Sequence, residues 1–242
     1  MLDRAKIGPG SRVLDCGCGA GRFARMAADR GASVAGVDAA EGLIEIAIER
    51  VPEGDFQVGD IEALPWEDDL FDVVTGFSAF QFADDKVRAL REAGRVSRGS
   101  VAVVVPARVP ESGITSVFKL VLPLFTEDAR ASLKQSGMFS LSDPGRVVDV
   151  LAAAALTPYV DEEIECPIVF DHVEVAWRAF MAAGPTQFAI DSSGEAEVGE
   201  AVRGALDPFT AGDGRVVLPA WYRAVLARGK TSPAEPDPAS SS

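Results

Sequence analysis

A glycine-rich turn near the start of the chain is the feature that most constrains its fold. The stretch "VLDCGCGAGRFARMAADRGASVAGVDAA", residues 13–40, has glycine at Gly17, Gly19 and Gly21. Glycine accepts positive φ and leaves main-chain atoms open to a ligand that a Cβ would block. A following helix would present free N–H groups at the same point. The stretch predicts a strand, a tight turn and a helix, with a ligand at the turn; a turn without a ligand is the alternative.

Strand-like and helical patterns alternate through the first half of the chain. The runs that predict strands are "SRVLDCG", "ASVAGVDA", "DFQVGD", "FDVVTGF" and "GSVAVVVPA". Their mostly continuous apolar character suits a parallel sheet covered on both faces. The helical faces predicted between them are Phe23, Met26 and Ala27; Leu43, Ile44, Ala47, Ile48 and Val51; and Val87, Leu90 and Gly94 after a cap at Asp84. Such alternation indicates βαβ units and hence a doubly wound α/β sheet.

The alternation stops after Ala107. Residues 110–142 have no obvious strand and predict a helical insertion over the sheet edge, and "SDPGRVVDVLAAAAL" predicts a helix with Pro144 in its first turn. Late strands are expected in "TPYVDEEIECPIVF" and "GRVVLPAWYRAVLARG", with helices near residues 173–182 and 195–206. The expected divisions are a ligand-binding half (1–107), a helical insertion or cap (108–142), a C-terminal half with late strands and cap helices (143–230) and a disordered tail (231–242).

Charge and cysteine content narrow the possible partners. The formal net charge of −14 and the absence of basic clusters argue against nucleic acid or anionic lipid as a partner. We find neither a secretory signal nor an apolar stretch that could span a bilayer, so a cytoplasmic location is expected. Cys16, Cys18 and Cys166 form no disulfide framework or zinc pattern, and no metal is expected. Cys16 and Cys18 are predicted to be small buried residues.

An aspartate at the end of the second predicted strand indicates the kind of ligand. Asp38 lies where a carboxylate can accept hydrogen bonds from both hydroxyls of a ribose, which favours an adenosine-type ligand. A solvated strand end or a helix cap is the alternative for Asp38. The dinucleotide fingerprint G-x-G-x-x-G would need glycine at the position of Arg22. The glycine pattern therefore argues against a nicotinamide-dependent oxidoreductase, which is kept as a less favoured alternative.

Three motifs together carry a family resemblance. "VLDCGCGAG", "GVDAAEGLIEIA" and "FQVGDIEALPWEDDLFDVV" resemble the class I S-adenosylmethionine-dependent methyltransferases over at least residues 13–105. "DIEALPWEDDLFDVV" and the later "AAGPTQFAI" are similar to segments of small-molecule methyltransferases of the ubiquinone and menaquinone biosynthesis type. The resemblance implies a Rossmann-like, mostly parallel seven-stranded sheet with a helical cap, and S-adenosyl-L-methionine as cofactor. Family members usually carry a helical segment before the first strand, where this chain has about ten residues. Either the start is truncated or other parts of the chain supply the lid.

The resemblance also implies a cofactor site. Asp15 and the backbone from Gly17 to Gly21 would neighbour the methionine moiety, and Asp38 would hold the ribose. Asp60 would face the adenine amino group, although a turn aspartate is the alternative. The full predicted set is Asp15, Gly17, Cys18, Gly19, Gly21, Asp38, Ala39, Leu43, Asp60, Ile61, Phe77, Ser78 and Gln81.

Within that set, some positions have more specific roles. Ile61 would offer its N–H to the adenine ring, and Ala39 and Leu43 would form apolar walls. Phe77, Ser78 and Gln81, in "GFSAFQF", would close over the methionine part and face the substrate. Core packing is expected for at least one of Phe77, Phe80 and Phe82.

The expected reaction is methyl transfer to a small metabolite, which depends mainly on alignment. Such a transfer does not require a catalytic base. If one acts, the candidate is the sole histidine, His172; the alternative for this residue is a position on the surface or at a helix start. The apolar stretches "SVFKLVLPLF", "CPIVF" and "AFMAAGPTQFAI" could roof a pocket for a lipophilic acceptor or simply pack the cap. Cofactor binding without methyl transfer, as in a cyclase-like protein or a partner subunit, is a third reading.

Overall fold

The computed structural model describes residues 1–128, 130–131, 137–143 and 145–229. The predicted disordered tail and Pro144, predicted for a first helical turn, lie outside these residues. The chain divides into two compact units. Among the described residues, those within 1–104, 145–162 and 224–229 form the first unit, and those within 105–143 and 163–223 form the second unit.

A seven-stranded, mostly parallel sheet organises the first unit. The strands along the chain are β1 (Arg12–Cys16), β2 (Ser33–Asp38), β3 (Asp55–Val58), β4 (Phe71–Phe77), β5 (Ser97–Ala107), β6 (Leu156–Glu165), β7 (Ile168–Phe170), β8 (Val216–Leu218) and β9 (Trp221–Gly229). The order in the large sheet is β3-β2-β1-β4-β5-β9-β6. Leu14 of β1 lies opposite Ala35 of β2 and Val74 of β4, both in parallel register. The five strands predicted for the first half are confirmed, and so is the doubly wound α/β class.

Helices connect these strands. They are α1 (Arg22–Ala28), α2 (Glu41–Arg50), α3 (Lys86–Val96), α4 (Gly113–Val121), α5 (Arg146–Ala153), α6 (Val173–Met181), α7 (Gly184–Ser193) and α8 (Glu195–Leu206). Short 3-10 turns cover residues 80–82, 109–111, 122–124 and 207–209. In the described parts of the chain, we find no helix long and apolar enough to cross a membrane.

The buried helical faces are narrower than the sequence pattern predicted. Ile44, Ala47 and Val51 are buried, but Leu43 is 38% and Ile48 47% exposed, because residues at i, i+3 and i+7 alone face inward. On α1, Ala27 is buried and Met26 is 55% exposed. The predicted apolar faces of α1 and α2 are therefore only partly buried.

The predicted cap of α3 is displaced by one residue. The carboxylate of Asp85, not Asp84, accepts a hydrogen bond from the backbone N–H of Arg88 at 2.9 Å. The helix begins at Lys86, so its N-cap position is Asp85, and an N-cap side chain accepts from the N–H two or three positions later. Because two aspartates are adjacent, the sequence pattern alone does not show which of them is the N-cap.

The second unit has its own apolar core and a separate two-stranded sheet. β7 and β8 pair antiparallel, with Val169 opposite Val217. The late strands were predicted correctly, but these two do not join the large sheet. Helix α4 lies in the stretch predicted to be helical, whereas α7 was not predicted. The core buries Val117, Val121, Phe125, Phe180, Met181 and Ala189.

Candidate functional site

One cavity of about 660 Å³ lies at the carboxyl edge of the large sheet, within the first unit. Gly17 follows β1, Asp38 ends β2, Asp60 follows β3 and Ser78 follows β4. Carboxyl ends of parallel strands meet at one edge of a sheet, which is where open α/β folds bind ligands. The lining residues are Gly17, Asp38, Ala39, Val58, Gly59, Asp60, Ile61, Glu62, Ser78, Ala79, Phe82, Ala83 and Asp84.

The glycine turn is fixed by close packing and by the end of β2. Gly17 has φ +66°, and a Cβ there would lie 2.5 Å from the Cβ of Ala79. The N–H groups of Gly17 and Cys18 both donate to the carbonyl of Val37, at 2.8 and 3.0 Å. Only glycine fits at position 17, and the turn is held before any ligand binds.

Asp38 connects the glycine turn to the start of α2. Its Oδ2 accepts a hydrogen bond from the N–H of Gly19 at 2.8 Å, and its Oδ1 accepts one from the N–H of Ala40 at 2.9 Å. The N-cap position of α2 belongs to Ala40, so Asp38 supports the turn before the helix without being its cap residue. Each carboxylate oxygen has two lone pairs, so both can still accept a hydrogen bond from a ligand hydroxyl.

Asp60 has a turn geometry and also lines the cavity. Its Oδ1 accepts a hydrogen bond from the N–H of Glu62 at 2.8 Å, the arrangement of an aspartate that stabilises its own turn. Asp60 and Ile61 both line the cavity. The turn alternative for Asp60 therefore coexists with a position that suits ligand binding.

Asp15 is buried near the carboxyl end of β1 and is not among the residues that line the cavity. It is 3% exposed, and the hydroxyl of Thr75 donates to its Oδ1 at 2.8 Å. The pKa of Asp15 is raised to about 7, chiefly by burial; the Thr75 hydrogen bond lowers it, and the nearby charge of Asp38 adds a smaller increase. Cys16 and Cys18 are buried as predicted. Burial also raises the pKa of Cys18 to about 12, so this thiol stays protonated at neutral pH.

The structure brings part of the predicted cofactor set to the cavity. Those that line it are Gly17, Asp38, Ala39, Asp60, Ile61 and Ser78. Cys18 is buried, and Gly19 and Gly21 shape the turn with φ values of +50° and +72°. Leu43 lies partly exposed on α2, and Gln81 is buried at 1% exposure. Neither of these two side chains is among the residues that line the cavity.

The three phenylalanines after β4 have three different environments. Phe80 is fully buried, as expected for at least one of them. Phe77 contacts Phe23, with ring centroids 4.4 Å apart. Phe82 is 50% exposed and lines the cavity, although it was not in the predicted set.

Other lining residues were also missed. They are Val58, Gly59, Glu62, Ala79, Ala83 and Asp84. All lie within a few residues of predicted positions, so proximity to a strand end was the available signal. Their residue types, mostly glycine, alanine and acidic residues, did not indicate which side chains face the cavity.

His172 begins a helix in the second unit. Its Nδ1 accepts a hydrogen bond from the backbone N–H of Glu174 at 3.2 Å, and it is the N-cap of α6. The side chain is exposed. This geometry fits the helix-start alternative. Among the described residues, no group of three or more His, Cys, Asp or Glu side chains is placed to hold a metal ion.

Comparison with known proteins relates part of this chain to a family. Residues 14–105 match the family model of the methyltransferase domain. Over 98 residues the chain is 38% identical to the malonyl-[acyl-carrier protein] O-methyltransferase of Serratia marcescens, covering 40% of this chain and 38% of that protein. Over 105 residues it is 34% identical to the demethylmenaquinone methyltransferase of Renibacterium salmoninarum, covering 43% and 44%. The chain thus matches less than half the length of these relatives.

The fold extends the likeness over nearly the whole chain. The structure of the YcgJ protein from Bacillus subtilis matches with a TM-score of 0.60 at 21% identity, covering 95% of this chain and 97% of that one. At this identity the likeness shows the fold, which is the Rossmann-like methyltransferase fold. Residues 14–105 therefore match a methyltransferase domain, and the resemblance to class I S-adenosylmethionine-dependent methyltransferases predicted from the sequence motifs is confirmed over that range. The cofactor of that class is S-adenosyl-L-methionine.

Proposed function

We propose that this protein binds S-adenosyl-L-methionine in the cavity and transfers its methyl group to a small molecule. The observation that carries the proposal is the convergence of the glycine turn, Asp38 and Asp60 on one cavity at the carboxyl edge of the sheet. The cavity volume is within the range of small-ligand sites. As the working division of the chain, residues 1–107 are the cofactor-binding half, 108–142 the cap insertion and 143–230 the C-terminal half.

The cavity residues suit the adenosine part of the cofactor. Asp38 has lone pairs left for the ribose hydroxyls. Ala39, Val58 and Ile61 supply apolar wall, and Asp60 stands beside Ile61 to accept from the adenine amino group.

The charge of the lining suits a cationic cofactor. Four carboxylates line the cavity, and no lysine or arginine is among the described lining residues; the four are Asp38, Asp60, Glu62 and Asp84. S-adenosylmethionine carries a positive sulfonium as well as an amino acid group. A negative lining attracts such a ligand and raises its association rate.

The chain contributes to the chemistry mainly by alignment. When bound, the cofactor supplies an activated methyl carbon whose bond to sulfur breaks as the acceptor atom attacks. Holding the reacting groups in line can lower a barrier by roughly 7–11 kcal/mol. The glycine turn and Asp38, fixed by hydrogen bonds to each other, provide a preorganised cofactor seat. We assign no catalytic base, because His172 caps a helix.

We further propose a lipophilic acceptor, on the basis of apolar residues in the cavity lining. Phe82, half exposed, lines the cavity together with Ala79 and Ala83. The apolar stretches that could have roofed a pocket instead supply core residues of the second unit, such as Val117 and Phe180. The packing alternative accounts for those residues, and the acceptor proposal depends on Phe82.

Calorimetric titration tests the cofactor. The wild-type protein is titrated with S-adenosylmethionine, S-adenosylhomocysteine and NADH. We expect micromolar binding of the sulfonium and thioether pair, weakened at least about tenfold in Asp38→Ala, because hydrogen bonds to a charged group are lost. Asp38→Asn removes the charge and keeps one acceptor oxygen, for the N–H of either Gly19 or Ala40, so it should disturb the turn less than Asp38→Ala does.

Asp213→Ala is the matched control for this titration. Asp213 is exposed, and its Oδ1 accepts from the N–H of the residue two positions on, as Asp38 does. Its removal should leave affinity unchanged. Binding of NADH alone, or equal affinity in wild type and Asp38→Ala, contradicts the proposal. A mass gain of one methyl group on apolar but not on charged test acceptors would support the acceptor class.

A further inference from the structure

Helix α3 directs one polar face towards the loop between β3 and β4. Arg88, Glu92 and Arg95 are spaced four and three residues apart, so they share one side of the helix. The residues of the helix that are buried are Ala89, Leu90, Ala93 and Val96. The loop, residues 59–70, forms neither helix nor strand, so its backbone N–H and C=O groups need other partners.

Two of these side chains bind the middle of the loop. Glu92 Oε2 accepts from the N–H of Leu64 at 3.0 Å. Arg95 donates to the carbonyl of Leu64 at 3.0 Å and to that of Trp66 at 2.8 Å. The hydrogen bond from Arg95 lowers the pKa of the Glu92 carboxyl, so the pair stays charged at neutral pH. The middle of the loop is therefore held by the helix.

Glu62 connects the polar face of α3 to the cavity, because it contacts Arg88 and also lines the cavity. The Nε of Arg88 donates to the carbonyl of Glu62 at 2.9 Å, and the N–H of Glu62 donates to Asp60 Oδ1 at 2.8 Å. The carboxylate of Glu62 accepts from the N–H of Asp85 at 2.9 Å. Glu62 lines the cavity beside Asp60 and Ile61. Arg88 thus fixes a residue that in turn fixes the Asp60 carboxylate.

We propose that Arg88 is a positioning residue for the adenosine end of the cavity, an inference that rests on the proposed function. Arg88 does not line the cavity. It acts by holding the Glu62 backbone, so that Asp60 and Ile61 keep their places before the cofactor arrives. A loop already ordered loses less conformational entropy when a ligand binds, and the ligand binds more tightly.

Arg91 offers a matched control on the same helix. It is exposed like Arg88 and also donates one hydrogen bond to a backbone carbonyl, that of Ala153, at 2.8 Å. Ala153 is the last residue of α5 and is not part of the loop. Arg88→Ala and Arg91→Ala therefore remove the same chemical group and the same kind of contact from one helix.

Hydrogen exchange of the ligand-free protein tests the positioning step without a cofactor. We expect amides in peptides covering residues 59–68 to exchange faster in Arg88→Ala than in wild type, and to be unchanged in Arg91→Ala. Arg88→Lys, which keeps a donor, should recover part of the protection. Unchanged exchange in Arg88→Ala, or the same change in both alanine variants, overturns the proposal.

Affinity for S-adenosylhomocysteine and for adenosine tests the consequence. Arg88→Ala should weaken both by about fivefold, the value of one net hydrogen bond, because both ligands reach the adenosine end. Arg91→Ala should bind both as wild type does. Equal affinities in the two variants and in wild type overturn the positioning role. If wild type itself binds neither ligand, the proposed function fails, while hydrogen exchange still decides whether Arg88 orders the loop.

Discussion

At the scale of single residues, Gly17 is constrained both by its backbone and by its neighbour. Replacing Gly17 by alanine brings two Cβ atoms within 2.5 Å at a φ of +66°. Gly19 has φ +50°, but a Cβ at that position would have nothing within 4 Å of it. We expect Gly17→Ala to lower the free energy of unfolding by about 2–5 kcal/mol, and Gly19→Ala by about 1–2 kcal/mol, in urea titrations. Equal losses would show that the contact with Ala79 does not matter.

The buried carboxyl of Asp15 predicts a pH-dependent stability. Its pKa is about 7 in the folded protein, raised chiefly by burial, against about 3.9 in an unfolded chain. Between these values the folded state binds more protons, so this group makes stability fall as pH rises from about 4 to 7. Asp15→Asn removes the cost of the buried charge and can still accept from Thr75.

The prediction for Asp15→Asn is therefore a gain that grows with pH. The free energy of unfolding should rise by up to about 4 kcal/mol at pH 8 and by less than about 1 kcal/mol at pH 4, relative to wild type. Urea unfolding at both pH values measures it. A variant that is no more stable than wild type at pH 8 would contradict the burial cost assigned to Asp15.

Sequence reasoning found the residues that follow strand ends and missed those that depend on loop shape. Asp38 and Asp60 were predicted because parallel strands bring their carboxyl ends together. Glu62 and Asp84 also line the cavity, and Glu62 is held by contacts with α3 and its cap, which lie more than twenty residues further along the chain. Local patterns contain no information on such contacts.

At the scale of elements, the cap of α3 gives a direct comparison. Asp85 accepts from the N–H of Arg88, whereas Asp84, one residue earlier, lines the cavity. Asp85→Ala should lower the free energy of unfolding by about 1 kcal/mol, and Asp84→Ala by much less. Thermal or urea unfolding measures both. The reverse order would support the cap predicted from sequence.

The elements that sequence reasoning missed are short or weakly patterned. Helix α7, "GPTQFAIDSS", buries only Thr186 and Ala189, so it shows little of the 3.6-residue apolar period. Strands β7 and β8 have three residues each and lie more than forty residues apart, with Ile168 opposite Leu218. Pairing between strands so far apart in sequence depends on the tertiary fold. The local sequence does not show whether such strands pair with each other or join the large sheet.

At the scale of the whole molecule, the two units differ in how readily sequence predicts them. The first unit repeats strand and helix with continuous apolar strands, a pattern that limits the topology to few choices. The second unit is built from helices around Val121, Phe180 and Leu206, together with the small sheet. From sequence, its apolar stretches could either roof a ligand pocket or pack the cap. The structure shows that residues from these stretches form the core of the second unit.

We infer that the cavity of the first unit binds S-adenosylmethionine. The most direct measurement is a structure of the protein in complex with S-adenosylhomocysteine. We predict ribose hydroxyls within about 2.5–3.2 Å of the Asp38 carboxylate, and adenine beside Asp60 and Ile61. A ligand bound elsewhere, or one in this cavity with its ribose away from Asp38, would contradict the account.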